Sequence, residues 1–290
     1  MTFDGGGIGY AGAMTSVSET GTAIKSARLC HPTHIFTGGS VIILNGTGAG
    51  QVRRLVSWEA SEDGSGCFFT IDRKFDTALD PASGQWISAQ IFKGASVWEG
   101  NSYVDTGSFQ FYGMCIDSIV HAEFGQRMTG FHGWGQWHRR NDTGDAIWHN
   151  QPHPNMHVQF LGIDMQDGNG SPHAGVPMIP SSNFKEGVQF NGAPFTVQGA
   201  QRGADGKLFS IPMNRFVVFR SNRISGGNVG FDLGQGYWLS DAVCESNVMV
   251  GLAHSNQSTS KAGLASGPVS HGPGMIGVKL VVRNNSVVDD

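Results

Sequence analysis

The sequence predicts an all-β chain wound as a parallel β-helix, a solenoid with inserted loops. Three observations carry this. First, 43 of the 290 residues are Gly and only 14% are charged, against average usages of roughly 7% and about 25%. A helical bundle would carry few Gly, because each interior Gly costs about 1 kcal/mol relative to Ala. Second, 39% of the residues are apolar and the net charge is −4, which excludes a disordered chain. Third, one short pattern recurs: an apolar residue, two or three others, Asn, any residue, then an apolar residue again. Its copies start at Val97, Val120, Val158, Val218, Val243 and Val281, and self-similarity of this kind marks a repeat architecture.

Each part of the pattern has a structural reading. From Asn101 to Phe124 is 23 positions, from Asn222 to Asn247 is 25 and from Asn247 to Asn285 is 38. These are single coils of 23 to 25 residues, lengthened where a loop is inserted. Asn accepts the left-handed conformation more readily than other non-Gly residues, so it is expected at the recurring bend. Equivalent side chains of successive coils stack at about 4.8 Å, and Val97, Val120, Val158, Val218, Val243 and Val281 are expected to form one inward ladder. A β-sandwich is the alternative. It draws on the hairpin signals Asn45-Gly46 and Asn191-Gly192.

The phrases Asn45-Gly-Thr-Gly-Ala-Gly-Gln51-Val-Arg53, Glu99-Gly-Asn101-Ser-Tyr-Val-Asp-Thr-Gly and Phe219-Arg-Ser-Asn222-Arg-Ile resemble right-handed parallel β-helix proteins of the pectate-lyase-like superfamily. The resemblance covers roughly residues 40 to 290. It implies the right-handed fold and a choice among polysaccharide lyases, glycoside hydrolases, epimerases and phage tailspikes. Residues 1–290 are read as one β-helix domain. Residues 280–290 look like an unfinished coil, and the first 25 residues show no amphipathic capping helix. A piece of a longer protein, or ends covered by a partner chain, is therefore expected.

Several function classes are excluded on composition. A pI near 6.2 leaves no basic footprint for nucleic acid, and no run of about 18 apolar residues offers a helical membrane span. Cys30, Cys67, Cys115 and Cys244 form no C-x-x-C pair, so zinc is not expected and the cysteines read as isolated buried thiols. The Gly46 to Gly50 string lacks the Gly-Lys-Ser/Thr ending of a phosphate loop and reads as a β-turn. Arg53 and Arg54 after it are expected to line the groove or to pair with Glu59 or Glu62. No cofactor is expected. Calcium would need a carboxylate cluster, and Asp72, Asp76 and Asp80, the nearest approach to one, read as solvated.

Chemistry is expected on the longest interruption, from about Phe131 to Pro180. Six of the eleven His and three of the seven Trp fall between 132 and 173. Trp134, Trp137 and Trp148 offer flat rings for sugar faces, with His149, Asp164 and Asp167 as further substrate contacts. A lyase needs a base and a cation beside a uronate carboxylate: His138, His132 or His149 would take the proton, and Arg139 or Arg140 would neutralise the acid. A hydrolase needs two carboxylates, for which Asp142 with Asp145, or Asp164 with Asp167, are the close pairs. Of the polygalacturonase-type motifs, Phe131-His132-Gly133 and Ser270-His271-Gly272 match only part of one. Asp-Asp occurs only as Asp289-Asp290, and the Arg-Ile-Lys box is absent. The residues 253–274 form a polar loop. The expected partner is an acidic polysaccharide. The alternative is a non-enzymatic, receptor-binding or structural β-helix such as a trimeric phage tail fibre or an adhesin. An extracellular, cell-surface or virion setting suits both, although the first residues carry no signal peptide.

Overall fold

The computed structural model describes residues 2–4, 10–27, 37–90, 93–106, 108–112, 115–128, 130–134, 136–138, 151–153, 155–166, 195–198, 214–225, 231–232, 238–250, 269–270, 276–279 and 281–288. Among them the chain is all-β, with a single 3-10 turn at Pro81–Ser83. Two architectures follow one another: a closed antiparallel barrel, then three parallel sheets.

Six strands close the barrel in the order Tyr10–Val17, Ala23–Ser26, Cys67–Ile71, Val52–Ala60, Ser40–Ile43 and Trp86–Gln90, the last pairing back with the first. Their inward positions supply Tyr10, Met14, Ile24, Val41, Ile43, Leu55, Phe69 and Ile87, which form one buried core. The Asn45-Gly46 signal thus marks an antiparallel hairpin turn, and residues 45–53 belong to the barrel rather than to the repeating part. Asn45 Oδ1 accepts the Trp86 N–H at 2.7 Å, while the buried Gln85 donates to the Thr47 carbonyl at 2.6 Å and accepts from the Asp80 N–H. Arg53 does not line a groove or pair with Glu59 or Glu62. It is 5% exposed, donates to the Lys74 and Val52 carbonyls and pairs with Asp76 at 2.8 Å. Nor are all the cysteines isolated thiols. Cys115 and Cys244 are buried and form no disulfide, but Cys67 is disulfide-bonded, and Cys30 lies outside the described residues.

From Lys93 onward the chain visits three parallel sheets in rotation. Sheet 1 holds Thr2–Asp4, Ser108–Tyr112, Gly130–Trp134, Phe195–Gln198, Phe231–Asp232 and Val269–Ser270. Sheet 2 holds Ser102–Val104, Phe124–Gln126, Asp164–Gln166, Arg223–Ser225, Val248–Val250 and Ser286–Val288. Sheet 3 holds Val97–Glu99, Cys115–His121, Asn155–Leu161, Val218–Arg220, Val243–Glu245 and Val281–Arg283, together with the shorter strands that precede these. Every pairing within the three sheets is parallel. The core between them is built from Phe109, Phe111, Val120, Phe131, Val158, Phe160, Met165, Phe219, Ile224, Cys244 and Met249. Phe160 and Phe219 stack at 5.1 Å with rings 9° apart.

The expected valine ladder is corrected by this register. Val97, Ile119, Gln159, Val218, Val243 and Val281 share one row, and it faces outward: Val97 is 64% exposed. The inward row is one residue on, at Trp98, Val120, Phe160, Phe219, Cys244 and Val282. Val158 is opposite Ser118 in yet another row. Since faces alternate along a strand, a one-residue slip in alignment exchanges inside for outside.

The role expected of Asn is corrected as well. The left-handed residue at the bend from sheet 3 to sheet 2 is the one before it: Gly100, Ala122, Gly162, Ser221, Ser246 and Asn284 all have positive φ. The next residue is an interior hydrogen-bonding position. Asn222 Nδ2 donates to Asn247 Oδ1 at 2.9 Å, and Asn247 Nδ2 donates to Asn285 Oδ1 at 2.8 Å. Each Asn Oδ1 also accepts the backbone N–H of the preceding round's residue. Such amide ladders stabilise stacked identical strands. Glu123 occupies the position in the second round, where it accepts from the Asn101 backbone and side chain.

The barrel packs against sheet 3. Ala11, Ile42 and Leu44 form a buried cluster with Ile116 and Met156. At Gly50, with φ +89°, an added Cβ would stand 2.7 Å from His157 Nε2 and 2.8 Å from Phe216 Cε2. The two rings stack at 4.5 Å.

Candidate functional site

Sheet 1 gathers two of the sequence-predicted residues on one strand. His132 is paired with Gln110 on one side and Thr196 on the other, and Trp134 with Tyr112 and Gln198. The His132 row continues through Thr196 to Asp232 and Ser270, and reaches Thr2 through Gln110. Phe109, Phe111 and Phe131 are fully buried, so the rows of His132 and Trp134 are the ones that alternate with the core positions. The backbone register thus puts Thr, Gln, His, Thr, Asp and Ser in one row of sheet 1, at intervals of about 4.8 Å.

After Trp134, Gln136–His138 pairs antiparallel with Gln151–His153 outside the three parallel sheets, with Trp137 opposite Pro152 and His138 opposite Gln151. The insertion is narrower than the sequence implied. Phe131 is core, and residues 155–166 return to sheets 3 and 2. For His132, Trp134, Trp137 and His138 the description extends to the backbone. Arg139, Arg140, Asp142, Asp145, Trp148, His149 and Asp167 lie outside the described residues.

Asp164 is placed apart from these, on sheet 2 between Phe124 and Arg223. Its Oδ2 accepts from Gln166 Nε2 at 3.2 Å; its Oδ1 is shielded from solvent with no hydrogen-bond partner. His157 sits on sheet 3, stacked on Phe216, so it is a packing residue between barrel and sheet. Among the described residues no group of three or more His, Cys, Asp and Glu is arranged to hold a metal, and no helix is long and apolar enough to cross a membrane.

Asp232, Thr196 and Gln110 were missed by the sequence reading. Their signal is a recurring dipeptide: Phe109-Gln110, Phe131-His132, Phe195-Thr196 and Phe231-Asp232 each put a Phe immediately before a polar residue of the same row, and Phe109 and Phe131 are buried in the core.

Sheet 3 carries the best-defined charges. Glu245, 8% exposed, accepts from Arg220 Nε and Arg283 Nε, both at 2.6 Å. The bonds from Arg283 and Arg220 hold its carboxyl below the usual carboxylate range. In the neighbouring kink, Asp241 pairs with Arg215 at 2.8 Å and with Lys279 at 3.4 Å, while Arg215 lies over the Phe216 ring. Burial pushes Asp241 up, but the Ser240 hydroxyl bond and the two cations outweigh it, and the net shift is downward. At the other end of the sheet Glu99 pairs with His121 at 2.9 Å. No family model and no curated protein matches this chain.

Proposed function

We propose that the chain is a right-handed parallel β-helix of the pectate-lyase-like type that binds an acidic polysaccharide across sheet 1 and cleaves it by elimination beside the 136–153 hairpin. The rotation of the chain through three parallel sheets, with an amide ladder at one bend, supports the fold. The observation that carries the function is the polar row Gln110, His132, Thr196 and Asp232, with Trp134 on the same strand as His132 and the hairpin directly following.

In this reading Trp134, Trp137 and Trp148 stack on sugar rings, with His149 and Asp167 as further substrate contacts. Arg139 or Arg140 neutralises the uronate carboxylate, and His138 or His132 removes the proton on the carbon next to it. The electron pair forms a carbon–carbon double bond as the glycosidic oxygen leaves with a proton from solvent or a neighbouring acid. Incubation with a panel of uronate and neutral polysaccharides tests it. Elimination yields an unsaturated product that absorbs in the ultraviolet, and Arg139→Ala, Arg140→Ala and His138→Ala, made singly, identify which of them abolishes it. New reducing ends without that absorbance would assign hydrolysis, with Asp142 and Asp145 as the acids to substitute next. Silence across the panel would overturn catalysis.

A second reading, a binding or structural β-helix that assembles with other chains, is favoured by the exposed Val281, Val282, Val287 and Val288 on adjacent strands of sheets 3 and 2. Sedimentation equilibrium separates the two: a trimer without activity supports the second.

A further inference from the structure

We propose that Arg220, Arg283 and Arg223 form a docking site for the carboxylate or sulfate groups of an acidic polysaccharide, on the outer face of sheet 3 where it bends into sheet 2. The inference rests on the polysaccharide reading above and adds a second surface to it, away from sheet 1.

Arg220, Glu245 and Arg283 occupy one row on three successive strands. Glu245 takes one bond from each arginine, and each arginine gives it only Nε. Neither arginine gives a hydrogen bond from Nη to a described residue, and their side chains are 50% and 62% exposed. One carboxylate needs one guanidinium to neutralise it. The second leaves a surplus charge, and Arg223, exposed just past the bend and without an ion pair among the described residues, adds another.

The surroundings reinforce this. Arg215, Arg220, Arg223, Lys279 and Arg283 stand against Asp241 and Glu245, which are ion-paired, and Asp164, which is in register beside Arg223 on sheet 2, so five cations meet three carboxylates among these described side chains in a chain whose net charge is −4. The earlier rounds have the opposite balance, with Glu99, Asp105, Asp117 and Glu123 against Arg127. Separation of charge on this scale survives physiological salt only within about 8 Å, which is the range of a ligand lying on the sheet.

The geometry suits a linear polyanion. Two strand spacings put the backbones of Arg220 and Arg283 about 10 Å apart along the stack, while their guanidinium groups converge on Glu245, so a polymer lying along the stack meets both together. Glu245 holds both guanidinium groups in place before a ligand arrives, so less side-chain entropy is lost on binding. A guanidinium bound through Nε keeps its two terminal amino groups for an oxyanion.

Affinity electrophoresis and calorimetry of the full chain with polygalacturonate, chondroitin sulfate and neutral dextran test the site and distinguish carboxylate from sulfate. Arg220→Gln with Arg283→Gln is expected to weaken acidic-polymer binding at least about tenfold and to flatten its salt dependence. Arg223→Gln breaks no ion pair, so it keeps the test valid if the double variant fails to fold; a loss of about threefold is expected from it. Arg220→Lys with Arg283→Lys keeps the charge and is expected to recover only part of the affinity. If the wild type binds an acidic polymer and Arg223→Gln and the double variant bind equally well, this site is overturned while the polysaccharide reading stands. If the wild type binds neither acidic polymer, or prefers duplex DNA, both fall.

Discussion

Replacing Asn247 by Ala probes the amide ladder at its best-defined point. Asn247 is fully buried. Its Oδ1 accepts the backbone N–H and the Nδ2 of Asn222, at 3.0 and 2.9 Å, and its Nδ2 donates to Asn285 Oδ1 and the Phe219 carbonyl, at 2.8 and 3.2 Å. Ala removes these four bonds and a longer one, 3.5 Å, from Nδ2 to Cys244 Sγ. Asn222 Nδ2 keeps the Phe160 carbonyl, but the buried Asn222 N–H loses its acceptor. An orphaned buried group costs about 1–3 kcal/mol, and the void and the weakened Phe219 carbonyl raise the expected loss to about 3–5 kcal/mol. Urea unfolding followed by far-ultraviolet circular dichroism measures it, with an unchanged m-value showing that the unfolded state is unaltered. Asn247→Leu, which fills the space without restoring a polar group, should be about as damaging. A loss below about 1 kcal/mol for Ala, or recovery with Leu, would refute the ladder as a source of stability.

Two further outcomes are expected. Gly50→Ala forces a side chain into a left-handed backbone and against the His157 and Phe216 rings; a loss of about 2–4 kcal/mol is expected, and an unchanged thermal midpoint would contradict the barrel contact. Burial raises the Glu123 pKa against the opposing Asn101 and Tyr103 bonds, and Glu99 raises it further. The protonated form is therefore favoured by folding, so Glu123 stabilises below its unfolded value near 4.5 and this contribution is lost as pH rises through its folded value. The midpoint of Glu123→Gln relative to wild type should rise between pH 4 and pH 7, and a flat or falling difference would count against it.

The repeat itself was legible because its bends are chemically distinctive: Asn101, Asn222, Asn247 and Asn285 recur where an interior amide is needed. What those residues do was not, because a left-handed residue and a ladder residue sit side by side, and Ala122 and Ser221 carry no sign of positive φ. The register was misread for a related reason. Val120 and Val158 look like Val97, yet β-branched residues suit both faces of a strand, and only hydrogen bonding decides the row. The barrel was hidden by its Gly-rich turn, whose Gly46, Gly48 and Gly50 serve a hairpin as readily as a solenoid bend. On the site, nearness along the chain does not by itself give nearness in space: His157 packs against the barrel and Asp164 stands on another sheet. Asp232 joins the His132 row from a position 100 residues further along.

The strand Thr2–Asp4 is in register with Gln110–Tyr112 in sheet 1, across the whole length of the barrel. Among the described strands Thr2–Asp4 pairs only with Ser108–Tyr112, so it has no edge to join until residues as far as 112 have folded. The barrel strands find partners within residues 10–90, whereas this strand must wait and then close a loop of more than a hundred residues, whose entropy cost grows only logarithmically with length. Docking of residues 2–4 therefore waits on the Ser108–Tyr112 strand, and until it occurs that edge stays open to strands of other molecules.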